Sequence, residues 1–449
     1  MKTWRPEIFH ALDIRGIYPS EINEEAVYDI AQAYVRFVKP QKVVLGRDVR
    51  WHGAALFKAA LKGFIEAGVS VVDIGIISTD MLYFAVAFYG FDGGLTISGS
   101  HNPAEYNGIK MVRKKSVAIS SDSGLLEIKK LAFRNKPTLK VLKGKVFKKN
   151  ILVDYLKHIQ KFADLKKSRP FTVVGNANFG LAGLVVEKLT KDLPIEWIKL
   201  NFKPDGTFPK GRPDPLRPEN RAETIKTILK NKADFGVAWD ADADRCFFFD
   251  EKGNFIEGYF ITAFLSQELL KENPGAKIIS DPRLTWAVLD TVKASKGAPI
   301  IAKTGHTFIK ERMRKEKALF AGEMSAHYYF KDNFYAENGM IPFLLMLKIL
   351  NKSDEKLSSI LSPLTSKYFV SGEINFEVGN KKAMINKIKK KYQNGRQDLI
   401  DGLSVEFDRQ WRFNLRASNT EPLLRLNLEA DSPELLKQKT EELVKLISP

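Results

Sequence analysis

Short apolar runs alternate with stretches of helical period along the first part of the chain. Val43-Val44-Leu45-Gly46 reads as a strand, residues 54–67 as a helix, 69–77 as a strand, 81–89 as a helix and 94–98 as a further strand. Strands separated by helices of this length predict βαβ units and a largely parallel sheet. A lysine-rich span at 135–150 marks a boundary, after which the pattern restarts. Residues 171–178, 195–200 and 233–239 read as strands, with an apolar helix from Leu181 and a proline-rich loop at 208–220. A third region opens near residue 255, with helices at 261–270 and 285–292 and strands at 276–281, 299–304 and 318–321. Residues 358–364 read as a linker. The last region groups strands at 373–378, 403–407, 411–415 and 423–428 with a lysine-faced helix and a closing helix at 434–447, which suggests an α+β domain. The boundaries expected are therefore 1–140, 141–252, 253–364 and 365–449.

Composition narrows the class. Hydrophobic residues make up 44% and charged residues 28% of the 449 positions, the balance of a globular protein with real cores. No run approaches the roughly 18 apolar residues that a membrane span needs. The start lacks the apolar middle of a signal peptide, so a cytoplasmic location is expected. The single cysteine, Cys246, excludes an internal disulfide and a cysteine-built metal cage. Lys+Arg of 71 against Asp+Glu of 53 gives +18, a field that attracts anions. No known nucleic-acid module accompanies that charge, and the lysine runs read as solvated helix faces. Neither a nucleic-acid nor a membrane partner is expected.

Four stretches carry candidate chemistry. After the strand at 94–98 come Ser100, His101, Asn102 and Pro103. Proline pushes the residue before it into extended backbone, so this is a stiff loop that can present one hydroxyl to a ligand. Asp240, Asp242 and Asp244 follow the strand at 233–239 and precede Cys246-Phe247-Phe248-Phe249. Three carboxylates at i, i+2 and i+4 point one way if the chain is extended, and they repel unless a cation sits among them. Oxygen-only ligands suit a hard ion, magnesium before manganese or zinc. At 322–327, Glu323 and Ser325 have period-two spacing, and a carboxylate with a hydroxyl can grip sugar hydroxyls. Arg416, Ser418, Asn419 and Thr420, between two strands, form a fork-and-donor phosphate cradle. A nucleophile, a cation site, a sugar grip and a phosphate cradle are the parts of phosphoryl transfer.

In these motifs the chain resembles the α-D-phosphohexomutases of the phosphomannomutase/phosphoglucomutase type. Ser-His-Asn-Pro at 100–103 matches the serine loop, and Asp240, Asp242, Asp244 and Arg245 match the metal loop. Gly322, Glu323, Met324, Ser325 and His327 match the sugar loop, and 416–420 matches the phosphate loop in full. Lys-Thr-Gly-His at 303–306 and Asp-Ile-Arg-Gly at 13–16 also fit. The resemblance implies three α/β domains with mixed sheets plus a C-terminal α+β domain around a central cleft. It implies a phosphohexomutase that interconverts hexose 1-phosphate and hexose 6-phosphate, mannose or glucose, through phosphorylated Ser100 and a hexose 1,6-bisphosphate intermediate. Asp240, Asp242 and Asp244 would hold Mg²⁺ with one oxygen of phospho-Ser100. Arg15, Arg245 and Lys110 would be cationic donors to the transferring phosphate. Lys110 or His101 would move protons, with His327 helping at the hydroxyl being phosphorylated. Glu323 and Ser325 would grip sugar O3 and O4, while Lys303, His306, Arg416, Ser418, Asn419 and Thr420 complete substrate binding. A monomer is expected.

The chain also departs from that pattern. Ala241 and Ala243 replace glycines of the metal loop, and Ala326 replaces a glycine of the sugar loop. If those positions need a positive φ, alanine strains them. Ser78-Thr79-Asp80 stands where Pro-Thr-Pro is usual, Leu12 where an aromatic is usual, and Arg283 where lysine is common. Every reacting group is kept. Met324 resembles the phosphomannomutase/phosphoglucomutase branch, since phosphoglucosamine mutases tend to have glutamine there. The competing readings are a phosphoglucosamine mutase, a magnesium-dependent sugar phosphatase using the same loops, and a non-enzymatic anion binder.

Overall fold

The computed structural model describes residues 2–134, 140, 142–418 and 423–448. They divide into two compact units, one of residues 1–255 with 328–354 and one of 256–327 with 355–449.

In the first unit, strands run in the order Ile14–Ile17, Tyr106–Arg113, Gly93–Ile97, Lys42–Arg47, Ser70–Ile76, Val146–Lys148. The central pairs are parallel, as the βαβ pattern predicts. The pairs made by Tyr106–Arg113 are antiparallel, so the sheet is mixed rather than largely parallel. That strand was not foreseen, because its residues as far as Lys110 were read with the serine loop as one stretch, 96–110. The helices Glu24–Val38 and Gly53–Glu66 bury their apolar stripes in a core with Tyr34, Leu45, Leu95 and Ile97. A second set of strands places Phe171–Asn176 parallel to both Ile195–Leu200 and Phe235–Trp239. Cys246–Phe249 returns antiparallel beside Phe235–Trp239, with Trp239 paired to Cys246. Residues 328–354 come back to this unit as a small hairpin, Tyr328–Phe330 with Ala336–Glu337, and the strongly apolar helix Ile341–Leu350.

The second unit carries the parallel strands Ala298–Ile301, Lys277–Ser280 and Phe320–Gly322 with helices Gly258–Glu272, Trp286–Ala294 and His306–Glu316. Its C-terminal part is an antiparallel sheet with Leu424–Ala430 and Trp411–Ala417 at its centre. Helices Lys381–Lys391 and Pro433–Ile447 close its core over Phe413, Leu415, Leu426 and Ile447. The expected linker at 358–364 is instead part of the helix Leu357–Thr365. Leu357 and Leu361 are buried at helical spacing, and Pro363 sits near the helix end. Among the described residues no helix is long and apolar enough to cross a membrane.

Candidate active site

The strand Gly93–Ile97 delivers the serine loop, and two arginines fix its path. Arg50 Nη1 donates to the carbonyls of Pro103 and Tyr106 at 2.5 and 2.9 Å, and Nη2 to those of Ser100 and Asn102 at 2.8 and 2.6 Å. Arg15 Nη1 donates to Gly99 O at 2.7 Å and Asn102 Oδ1 at 2.5 Å, while its other nitrogens pair with Asp13. Burial opposes the charge of Arg15, but Asp13 outweighs it and raises the pKa. Asp48 accepts the Gly99 amide at 3.1 Å. The loop is held so closely that Ser100 adopts φ +48, left-handed backbone that costs a non-glycine residue of order 1–2 kcal/mol. Its side chain is buried, with Oγ 3.2 Å from His101 Nδ1 and 3.4 Å from Asp240 Oδ2.

The aspartates occupy the turn between the paired residues Trp239 and Cys246, not an extended strand. The turn, rather than a period of two, gathers them: one oxygen from each of Asp240, Asp242 and Asp244 lies within 4.8 Å of the others, and all three are fully buried. Lys110, on the unforeseen antiparallel strand, donates to Asp242 Oδ2 at 2.7 Å and Asp244 Oδ2 at 2.6 Å. Burial disfavours its charge, yet the two carboxylates raise its pKa and hold it as an ammonium. Asp240 is pushed well above the usual carboxylate range by burial and by its two neighbours. Burial and Asp244 push Asp242 the same way, but Lys110 and Thr79 reverse the direction and leave it low. Arg245 Nη2 donates to His101 Nδ1 at 2.7 Å, which leaves the ring proton on Nε2. Burial, then Arg245, Arg212 and Arg15, drive the His101 pKa well below its usual value, so the imidazole is neutral.

Of the three alanines that replace glycines, Ala243 and Ala326 have positive φ, +56 and +63, and Ala241 does not. The strain expected of alanine therefore falls on two positions only.

In the second unit the sugar loop closes on itself, with the Glu323 amide bonded to His327 O and the Ala326 amide to Glu323 O, both at 3.0 Å. Glu323 Oε1 accepts the Gly305 amide at 2.9 Å, and Oε2 lies 3.3 Å from His327 Nδ1. Ser325 Oγ is 3.1 Å from the same nitrogen, so Glu323, Ser325 and His327 form one cluster. The His306 ring stacks near His327 at 6.3 Å, and Lys303 Nζ lies over the Phe308 ring at 4.1 Å. Arg283 grips Asp281 through Nε at 2.9 Å and Nη2 at 2.8 Å, and Asp281 also accepts the Met324 amide at 2.9 Å. Arg416 is the penultimate residue of the strand Trp411–Ala417, 3.9 Å from Glu373, which also lies 3.7 Å from Arg283. The Ser418 amide donates to Leu423 O at 2.9 Å, whereas Asn419 and Thr420 lie outside the described residues.

The first unit thus brings together Arg15, Ser100, His101, Lys110, the three aspartates and Arg245. Residues that pattern reading passed over are Arg50, Thr79, Ser98, Arg212, Asp214 and Glu373. Ser98 Oγ accepts the Ser100 amide at 2.9 Å and reaches Asp242 at 3.3 Å. Arg212 donates to His101 O at 3.1 Å, and Asp214 lies 3.5 Å from Arg245. Two left a usable sign: Thr79 in the Ser78-Thr79-Asp80 departure, and Arg50 three residues after the strand Lys42–Arg47. The others act on partners that are remote in sequence or carry no motif of their own.

Comparison with known proteins bears on all four regions. Family models described as phosphoglucomutase/phosphomannomutase, alpha/beta/alpha domains I, II and III, match residues 6–138, 153–253 and 257–368, and the model of the C-terminal domain matches 373–446. The chain is 45% identical over 453 residues to a protein of Vibrio cholerae named phosphomannomutase, covering 98% of each. It is 42% identical over 442 residues to a Xanthomonas campestris protein named phosphohexose mutases, again covering 98% of each. The solved structure of a phosphoglucomutase/phosphomannomutase family protein from Burkholderia thailandensis superposes with a TM-score of 0.88 at 31% identity, covering 99% of this chain and 97% of that one.

Proposed function

The chain belongs to the phosphoglucomutase/phosphomannomutase family, and from that premise we propose how it works as a phosphohexomutase. It interconverts hexose 1-phosphate and hexose 6-phosphate, with mannose or glucose as the sugar. Ser100 carries the phosphoryl group and a hexose 1,6-bisphosphate is the intermediate. The observation that carries this reading is the nucleophile beside the acidic turn: Ser100 Oγ stands 3.4 Å from Asp240 Oδ2, with the charged Lys110 bridging the other two carboxylates.

Asp240, Asp242, Asp244 and an oxygen of phospho-Ser100 are the ligands proposed for Mg²⁺. The residues fit, since the set is all oxygen and Asp242 Oδ1 is buried without a hydrogen-bond partner. When bound, the cation would offset charge on the phosphoryl group. Arg15, Arg245 and Lys110 supply fixed positive charge at Ser100. Lys110 or His101 is the candidate for proton transfer: Lys110 is bonded to two carboxylates, and the His101 Nδ1 that faces Ser100 Oγ accepts from Arg245. Glu323 and Ser325 bind sugar hydroxyls, and His327 assists at the accepting hydroxyl. Lys303, His306, Arg416, Ser418, Asn419 and Thr420 bind the remaining parts of the ligand. A cytoplasmic monomer is the assembly proposed.

Conversion of glucose, mannose and glucosamine 1-phosphates should be measured with a trace of bisphosphate activator. The expected outcome is turnover of mannose or glucose 1-phosphate, one added phosphate by intact mass, and loss of both in Ser100→Ala. Turnover retained in that variant would reject the serine. Inorganic phosphate released in step with substrate loss would make the enzyme a phosphatase instead.

A further inference from the structure

Thr79 is the first residue of the helix Thr79–Phe88. Its amide donates to Asp242 O at 3.0 Å and its hydroxyl to Asp242 Oδ2 at 2.5 Å. A residue that follows the strand Ser70–Ile76 thus aims one of the three carboxylates of the acidic turn.

What holds Thr79 is the residue after it. Asp80 is 1% exposed, and its side-chain hydrogen bonds among the described residues go to Ser78, Tyr155 and Asn338 rather than to the proposed reacting groups. Its carboxylate accepts hydrogen bonds from Ser78 Oγ and the Tyr155 hydroxyl, and from Asn338 Nδ2 at 2.6 Å. Tyr155 lies on the helix Leu152–Gln160, and Asn338 in the segment that returns after residue 328. Asn338 Nδ2 also reaches the Tyr155 hydroxyl at 3.0 Å, and its Oδ1 caps the Met340 and Ile341 amides at 2.8 and 2.9 Å. The neighbouring Gly339 accepts Trp239 Nε1 at 2.9 Å. A Cβ on Gly339 would collide with the carbonyl of Ala243. Asp80 therefore ties together two pieces of chain that each touch the acidic turn, Thr79 on Asp242 and Gly339 against Trp239 and Ala243. A buried carboxylate is costly unless its hydrogen bonds are made, and here they are made to groups that locate the turn.

We propose that Asp80 is a positioning residue for the aspartate triad: with Tyr155 and Asn338 it locks the first turn of Thr79–Phe88 so that Thr79 orients Asp242 for a divalent cation. This rests on reading the triad as the cation site. Groups that orient metal ligands from behind typically set affinity by about 10–100-fold.

The test is Mn²⁺ binding to the whole protein without substrate, followed by electron paramagnetic resonance, alongside kcat and KM as a function of Mg²⁺. Asp80→Ala and Thr79→Ala should weaken Mn²⁺ binding about 10-fold or more and raise the Mg²⁺ needed for half-maximal rate. KM for the hexose phosphate should change less than about twofold, since neither residue is placed on the sugar. Asp80→Asn, which keeps the shape and one acceptor oxygen for Tyr155 and Asn338, should restore most of the affinity. A folded Asp80→Ala protein that binds Mn²⁺ like the unsubstituted one overturns the inference. Should Asp80→Ala not fold, Tyr155→Phe and Asn338→Ala decide: weaker Mn²⁺ binding supports the inference and unchanged binding overturns it. If the unsubstituted protein itself binds no Mn²⁺, the cation reading fails and this inference with it. Binding that is normal in the parent and in every variant defeats this inference alone.

Discussion

Two buried arginines, one in each unit, are used in opposite ways. Arg50 is 0% exposed, and its terminal nitrogens make four short bonds to carbonyls of the serine loop. Arg416 is 3% exposed, yet its contacts are long: 3.5 Å to Ala417 O, 3.8 Å to Asp401 and 3.9 Å to Glu373. The Nε of each is buried without a hydrogen-bond partner and burial lowers the pKa of each, so the difference lies in what their terminal nitrogens reach. A buried donor left unmade is expensive, and a charged one more so. The difference teaches what each arginine is for. Arg50 completes the serine loop, whereas the long contacts of Arg416 suit the anion-binding role proposed for it. The serine loop is held by the protein's own hydrogen bonds, and the proposed cradle holds its arginine by long contacts.

Removing Arg50 should break the contrast most severely. Arg50→Ala strands several buried carbonyls and should destabilise the protein by about 3–5 kcal/mol in urea unfolding. The displaced serine should also lower kcat by about 100-fold or more at saturating substrate. Arg416→Ala should do the reverse, raising KM for hexose phosphate about 10–100-fold through lost charged hydrogen bonds. Its melting temperature should be unchanged or higher, because an incompletely paired buried charge has gone. A lower melting temperature with unchanged KM would erase the distinction between the two arginines.

The cost of rigidity in the first unit has a pH signature. Burial pushes the Asp80 pKa up to about 7, against hydrogen bonds from Ser78 and Tyr155 that pull it down. An unfolded aspartate titrates at about 3.9, so the folded state binds the extra proton between those values. Asp80 therefore subtracts stability as pH rises from about 4 through 7, and the full penalty stands above 7. Thermal melts from about pH 5 to 8 should show a steeper decline for the parent than for Asp80→Asn. The smallest effect expected is at Ala243, which occupies left-handed backbone at φ +56. Ala243→Gly should raise stability by about 1 kcal/mol or less, with little change in activity.

Much of this fold was legible because its strands are apolar runs of a few residues. The strands at 195–200 and 403–407 were placed to the residue, and most others within a few positions. The helix His306–Glu316, whose apolar stripe is diluted by charge, gave no such signal, whereas the helical spacing of Ala222, Ile225, Ile228 and Leu229 in Ala222–Asn231 was legible and passed over. Tyr106–Arg113 was hidden because only two residues separate it from the Ser-His-Asn-Pro motif and it was read with that loop. Among candidate site residues, side chains proposed to react are typed by their chemistry and could be named. Side chains that only hold backbone, such as Arg50, depend on where distant carbonyls lie. Asp80 was visible as an odd residue in a motif, and its partners Tyr155 and Asn338 were not.

The return of residues 328–354 to the first unit has a consequence for how the protein can be made and cut. Trp239 at the root of the acidic turn finds its acceptor in Gly339, a hundred positions further along the chain. A nascent chain therefore emerges with its carboxylate turn unsupported until residues 328–354 have been synthesised. A fragment ending at Phe255 would expose the Trp239 N–H and the surface that Gly339 covers, so excising the first unit requires a graft of that later segment and not a simple truncation.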